Sequence, residues 1–189
     1  EDRRDRPVRA LQRRVLVEEP QALRVAQVAG QLYHHVQPDA SRDSQRELQW
    51  ACALHEIGMM VSHHDHHRHS AYMLGHVDAP GFSQSQQRGL AELVLAQRGG
   101  LRKVEASLAQ PDFAWQALCL RLAIIKCHAR GTVDKHAIAL RRSGSVAELS
   151  WQPGWLENHP RTHYLLTEEA AIWQRNGPLQ LDLPRTTGY

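Results

Sequence analysis

The feature that constrains this chain most is the run LQWACALHEIG, in which Leu48, Ala51, Cys52 and His55 recur at i, i+3, i+4 and i+7. That spacing marks one face of an α-helix, so it predicts a buried helix from about Ser44 to Ile57, closed by Gly58. His55 falls at the inner edge of the stripe with Glu56 beside it. An imidazole and a carboxylate at a buried helix end are costly unless each has a partner. They are therefore either a hydrogen-bonded core pair or a metal or phosphate site. Downstream the chain is crowded with imidazoles: seven of its 13 histidines fall between His55 and His76.

Around this helix the pattern is helical for two thirds of the chain. Val8, Leu11 and Val15 predict a short amphipathic helix with its arginines in water. Glu18-Glu19-Pro20 starts a second helix at the end that favours acidic residues and proline, and Leu23, Ala26, Leu32 and Val36 carry it to Pro38. Val61 to Arg68 is polar enough to read as a histidine-rich loop, followed by a helix from His69 to Val77. Ser83 and Gln86 form a capping box for a helix reaching Arg98 before Gly99-Gly100. Pro111-Asp112 opens another, with Phe113, Ala117, Leu118, Leu122 and Ile125 on one face and Gly131 at its end.

The period then changes. Ala137 to Arg141 and Val146 to Trp151 alternate about Ser143-Gly144-Ser145, as a β-hairpin does. Pro160 to Asn176 is helical again, with Leu165, Ile172 and Trp173 facing in, and Leu179, Leu181 and Leu183 alternate as a last strand. The fold class is thus mostly α (residues 1–131), followed by a small α+β unit (132–189) with Trp151, Trp155 and Trp173 at its centre.

Composition narrows the function classes. A hydrophobic share of 42% and a charged share of 23% describe a soluble globular chain. No apolar run approaches the length of a membrane span, and the charged start is unlike a signal peptide. The net charge of +3 suits a local anionic ligand better than nucleic acid. Cys52, Cys119 and Cys127 show no CxxC spacing and read as reduced, buried thiols of a cytoplasmic protein. The sequence lacks a nucleophile elbow and a GxxxxGK[ST] phosphate loop. The missing initiator Met suggests a piece of a longer protein.

LHEIG resembles the LHDIG signature of the HD phosphohydrolases, with Glu56 in place of the Asp. LHEIG, HRHSAYML and DAPGF in that order resemble the C-terminal HD-like region of the exopolyphosphatase and guanosine pentaphosphate phosphatase family. The resemblance implies an absent N-terminal, actin-like half that hydrolyses terminal phosphoanhydrides with Mg²⁺. It also implies an accessory role for this region, binding inorganic polyphosphate or a guanosine polyphosphate and supporting a homodimer.

By the same resemblance Arg68, His69, Arg98, Arg121 and Arg130 are the phosphate-binding candidates; planar guanidinium groups suit phosphate oxygens. The metal site of an active HD enzyme looks degenerate. His55 and Glu56 are present, but Gln21 stands near the position of an earlier His and Ile124 near that of a later Asp. This chain would then need no cofactor and have no catalytic residue of its own. Two alternatives stay open: an active HD phosphohydrolase using His55, Glu56, His69 and a fourth ligand, or a purely structural dimerisation module.

Overall fold

The computed structural model describes residues 2–14, 17–60, 64–128 and 138–184. Within them the chain forms α1 (Asp5–Arg14), α2 (Glu19–Val36), α3 (Arg42–Leu54), α4 (His66–His76), α5 (Gln84–Leu95), the single turn α6 (Glu105–Leu108) and α7 (Pro111–Lys126). There follow β1 (Ile138–Ser143), β2 (Val146–Trp151), α8 (Pro160–Asn176) and β3 (Gln180–Asp182). Short 3₁₀ turns at Ile57–Met60 and Arg102–Val104 precede α4 and α6. The architecture is mostly helical with a small α+β unit at the C-terminal end, as the periodicity predicts.

Local chemistry accounts for most element ends. Pro20, Pro111 and Pro160 sit in the first turns of α2, α7 and α8, where a missing N–H costs nothing. The Ser83–Gln86 capping box is formed in both directions. The hairpin closes through a two-residue turn, Ser143 pairing with Val146 and Gly144 at φ +61°, a conformation that suits glycine. β3 then adds parallel to β2, giving the order β1-β2-β3, with α8 as the crossover.

Helix α2 is the centre of the molecule, packed by α3, α7 and β1. Its buried face is Gln21, Ala22, Val25, Val28, Ala29, Leu32, Tyr33 and Val36. Leu23, expected to face inward, is 60% exposed, because a polar Gln21 occupies the inward position at the helix start instead. Arg142 stacks over Trp115 at 4.8 Å and donates to Gln37 Oε1 at 2.6 Å, so it ties the hairpin to the helices. One hydrophobic core runs from Val8 to Leu181 and includes both helices and sheet.

Three further expectations are corrected. Helix α3 stops at Leu54, and Gly58 lies in the following 3₁₀ turn rather than ending the helix. A Cβ at Gly58 would run into the carbonyl of His66 and lie 2.6 Å from Ser70 N, so glycine is required by the approach of α4. Helix α4 starts at His66, and His66 and His67 are buried rather than looped into water. Of the three tryptophans, only Trp173 is fully buried; Trp151 and Trp155 are half-buried, and Trp155 stacks on the His159 ring at 4.5 Å. Val15, His63, Gly131 and the boundary between the expected units lie outside the described residues. Among the described residues no helix is long and apolar enough to cross a membrane.

Candidate functional site

The His55-Glu56 turn is organised by one backbone carbonyl. The oxygen of His55 accepts from Gln97 Nε2 at 2.7 Å, from Ser70 Oγ at 3.2 Å and lies 3.3 Å from His66 Nδ1. Ser70 Oγ also accepts from Gly58 N at 2.7 Å, and the His55 ring closes on the Cys52 carbonyl through Nδ1 at 2.6 Å. The end of α3, the start of α4 and the end of α5 are thus joined by polar contacts inside an apolar core. Satisfying these groups is what permits a buried polar turn here. Gln97 is one of the braces.

Beside this turn lies a cleft of about 490 Å³. Its lining includes Gln21 from α2, His55 and Glu56, Gln97 and Arg98 after α5, Arg121 and Ile124 from α7, and Arg161, Glu168 and Glu169 from α8. Gln21, His55, Glu56 and Ile124, the four positions that the resemblance sets against an HD metal site, line the same cleft. The donors present do not fit a resident divalent cation. Ile124 has no donor atom, and Gln21 is spent: its Nε2 donates to Cys127 O at 2.9 Å and its Oε1 accepts from Arg24 Nη2 at 2.7 Å. Among the described residues no group of three His, Cys, Asp or Glu side chains is arranged to hold a metal ion.

Arg121 is buried and largely committed to the protein. Its Nε and Nη2 donate to the two oxygens of Glu169 at 2.7 and 2.9 Å. Nη1 donates to Ala96 O at 2.8 Å and Nη2 to Gly99 O at 2.9 Å, which caps the end of α5. Four of its five N–H donors are thereby used. Trp173 Nε1 donates to Glu169 Oε2 at 2.7 Å, completing the carboxylate's shell. Arg121 anchors the turn that carries Arg98.

A second group of cations gathers at the edge of the cleft. Lys103 has its ammonium pushed down to about 8, first by burial and then by the charges of Arg121, Arg68 and Arg98. His67 is held down to about 4, by burial and then by Lys103, Arg98, His66 and Arg68. His66 is likewise held down to about 4, chiefly by burial and then by Arg98. Both imidazoles are neutral at pH 7, so the positive charge belongs to Arg68, Arg98 and Lys103. Arg68 and Arg98 are exposed, and no carboxylate among the described residues forms an ion pair with either.

Of the residues singled out from sequence, Arg98 and Arg121 line the cleft with His55 and Glu56. Arg68 and half-buried His69 lie on α4, outside that lining, with Arg68 close enough to act on Lys103. Arg130 lies outside the described residues. Lys103, Arg161 and Glu169 were not anticipated. The pair Arg102-Lys103, just after Gly99-Gly100, was the available signal for Lys103. Glu169 had none, because its acceptor role depends on a partner 48 residues away.

A family model described as "Ppx/GppA phosphatase, domain III" matches residues 3–170, a span that includes α1 to α7, the hairpin, most of α8 and all of the site but Ile172 and Trp173. The chain therefore belongs to the Ppx/GppA phosphatase family and carries its domain III.

Proposed function

We propose that this domain holds phosphate chains and does not cleave them. The ligand would be inorganic polyphosphate, or the phosphate tail of a guanosine polyphosphate, laid along the edge formed by Arg68, Arg98 and Lys103. The observation that carries the reading is the crowding of those three cations: Asp65 is the acidic side chain that acts on Lys103, and no carboxylate among the described residues forms an ion pair with either arginine. A polyanion would supply the missing counter-charge, and exposed guanidinium groups can each grip two phosphate oxygens. His69 would add a donor from α4, and Arg121 would act by positioning Arg98. Arg130 joins the set on the resemblance alone.

Hydrolysis would belong to an N-terminal actin-like half working with Mg²⁺, and the domain would take part in a homodimer. The cleft at His55 and Glu56 would serve as a packed remnant, since Ile124 and Gln21 cannot complete a metal shell there. The test is a titration of long-chain polyphosphate against the isolated chain, with a phosphate-release assay and light scattering in parallel. The reading expects saturable binding that weakens steeply with salt, because binding frees counterions from a polyanion. It expects no release of phosphate. Turnover with a stoichiometric metal would replace it with an active HD enzyme. A dimer without anion affinity would leave a structural module.

A further inference from the structure

A second cleft is distinct from the one described above. A cleft of about 790 Å³ opens on the far side of α3's end, between α1, the last turn of α4 and the loop to α5. Its floor is apolar: Val8 and Leu11 from α1, Leu54, Leu74, Val77 and Phe82. Its lip carries Arg3, Arg6 and Arg14, all exposed. No carboxylate among the described residues pairs with any of the three. Of the two acidic residues at the lip, Asp2 is already held by Arg4 at 2.7 Å and Arg46 at 3.3 Å, which leaves Asp78. The free charge at the mouth is therefore positive.

The walls are held in place. Gln87 Nε2 donates to both Leu74 O and Val77 O at 2.6 Å, fixing the end of α4 where the loop leaves it. Phe82 packs edge-on against Trp50, whose Nε1 donates to Asp5 Oδ1 at 2.9 Å and whose ring lies under Arg4 at 4.7 Å. The N-terminal arm and the loop thus clasp the same tryptophan. A pre-formed concave site with an apolar lining and a few convergent polar groups is the usual form of a small-molecule pocket, and the volume falls in that range.

We propose that this cleft binds an anionic amphiphile, an apolar chain ending in a carboxylate or phosphate, with the chain on the floor and the head between Arg6 and its neighbours. A neutral lipid would leave the arginines unanswered, and a cationic one would meet repulsion. The site shares no residue with the phosphate-holding edge, so the two readings stand or fall separately.

The experiment is calorimetric titration of the protein with dodecanoate below its micelle concentration, with dodecyltrimethylammonium as the charge-reversed control. Dodecanoate should bind saturably at one site per chain, and the cationic amphiphile should not. Arg6→Glu should weaken binding about tenfold, since it removes one exposed attraction and adds a repulsion. Ala10→Trp, at an exposed position on the lining, should block it while circular dichroism stays unchanged. Arg98→Ala should leave it unaltered. Absence of saturable binding, equal binding of the cationic amphiphile, or wild-type affinity in Ala10→Trp would each overturn the proposal. Dodecyl phosphate in place of dodecanoate separates the two head groups.

Discussion

Arg121 interrupts the apolar face of α7, and the contacts of its guanidinium with Glu169 and two carbonyls make a quantitative case. Replacing Glu169 with Ala strands a guanidinium that is 2% exposed, and also leaves Trp173 Nε1 without its acceptor. Removing one partner of a buried ion pair costs about 3–5 kcal/mol. For a chain of this size each kcal/mol moves the midpoint by about 2–4 °C, so the fall should be about 6–20 °C. Arg121→Met should cost a similar amount, since it leaves the carboxylate buried and the Ala96 and Gly99 carbonyls short of a donor.

The double variant Arg121→Met/Glu169→Leu removes both charges and keeps the volume. It should be more stable than either single variant, because a buried pair is often replaceable by apolar groups at little cost. Urea denaturation of the wild type, both singles and the double gives the coupling directly, and it should exceed about 2 kcal/mol. Additive losses would refute the idea that Arg121 exists to meet Glu169. So would an Arg121→Met variant that keeps full stability and loses only polyphosphate affinity; that would make Arg121 a direct phosphate ligand.

Gly58→Ala should destabilise the domain by about 1–3 kcal/mol or more in the same assay, because the new methyl group collides with the backbone of α4; an unchanged midpoint would dispose of that packing account. Gln97→Ala withdraws the shortest hydrogen bond to the His55 carbonyl and should cost about 1–2 kcal/mol, with Gln97→Glu no better because a carboxylate cannot donate there. Acidification should weaken the fold between pH 6.5 and about 4. His66 and His67 stay neutral when folded to about 4, whereas the unfolded chain takes up protons from about 6.5, so the unfolded state binds more protons in that window and stability rises with pH across it. After allowance for solvent screening the pair contributes on the order of 1–2 kcal/mol. Chemical denaturation at several pH values should show the slope, and His66→Gln with His67→Gln should flatten it.

How far the sequence carries differs between fold and site. Proline and serine signals placed the starts of α2, α5, α7 and α8 because those signals act within one turn of backbone. The hairpin was equally legible from its alternation. The end of α3 was not, since it is set by Ser70 and His66 of α4 and Gln97 just after α5, all converging on one carbonyl. The same holds for the burial of His66 and His67, where a polar string became part of a packed face. At the site, Gln21, His55, Glu56 and Ile124 line one cleft. The commitment of Arg121 to Glu169 and the nearness of Lys103 to Arg68 and Arg98 required the packing of α8 and of the segment after α5. The residues show these charges but not which of them meet.

The most direct test of the phosphate-holding reading is the salt dependence of polyphosphate affinity in the wild type against Arg68→Ala, Arg98→Ala and Lys103→Ala. Arg68 and Arg98 are exposed and their variants should keep the wild-type denaturation midpoint; Lys103 is half-buried and donates to Arg98 O, so its variant should lose about 1 kcal/mol at most. Each substitution should weaken binding and reduce the slope of log affinity against log salt by roughly one counterion. Wild-type affinity and slope in all three variants would contradict the reading.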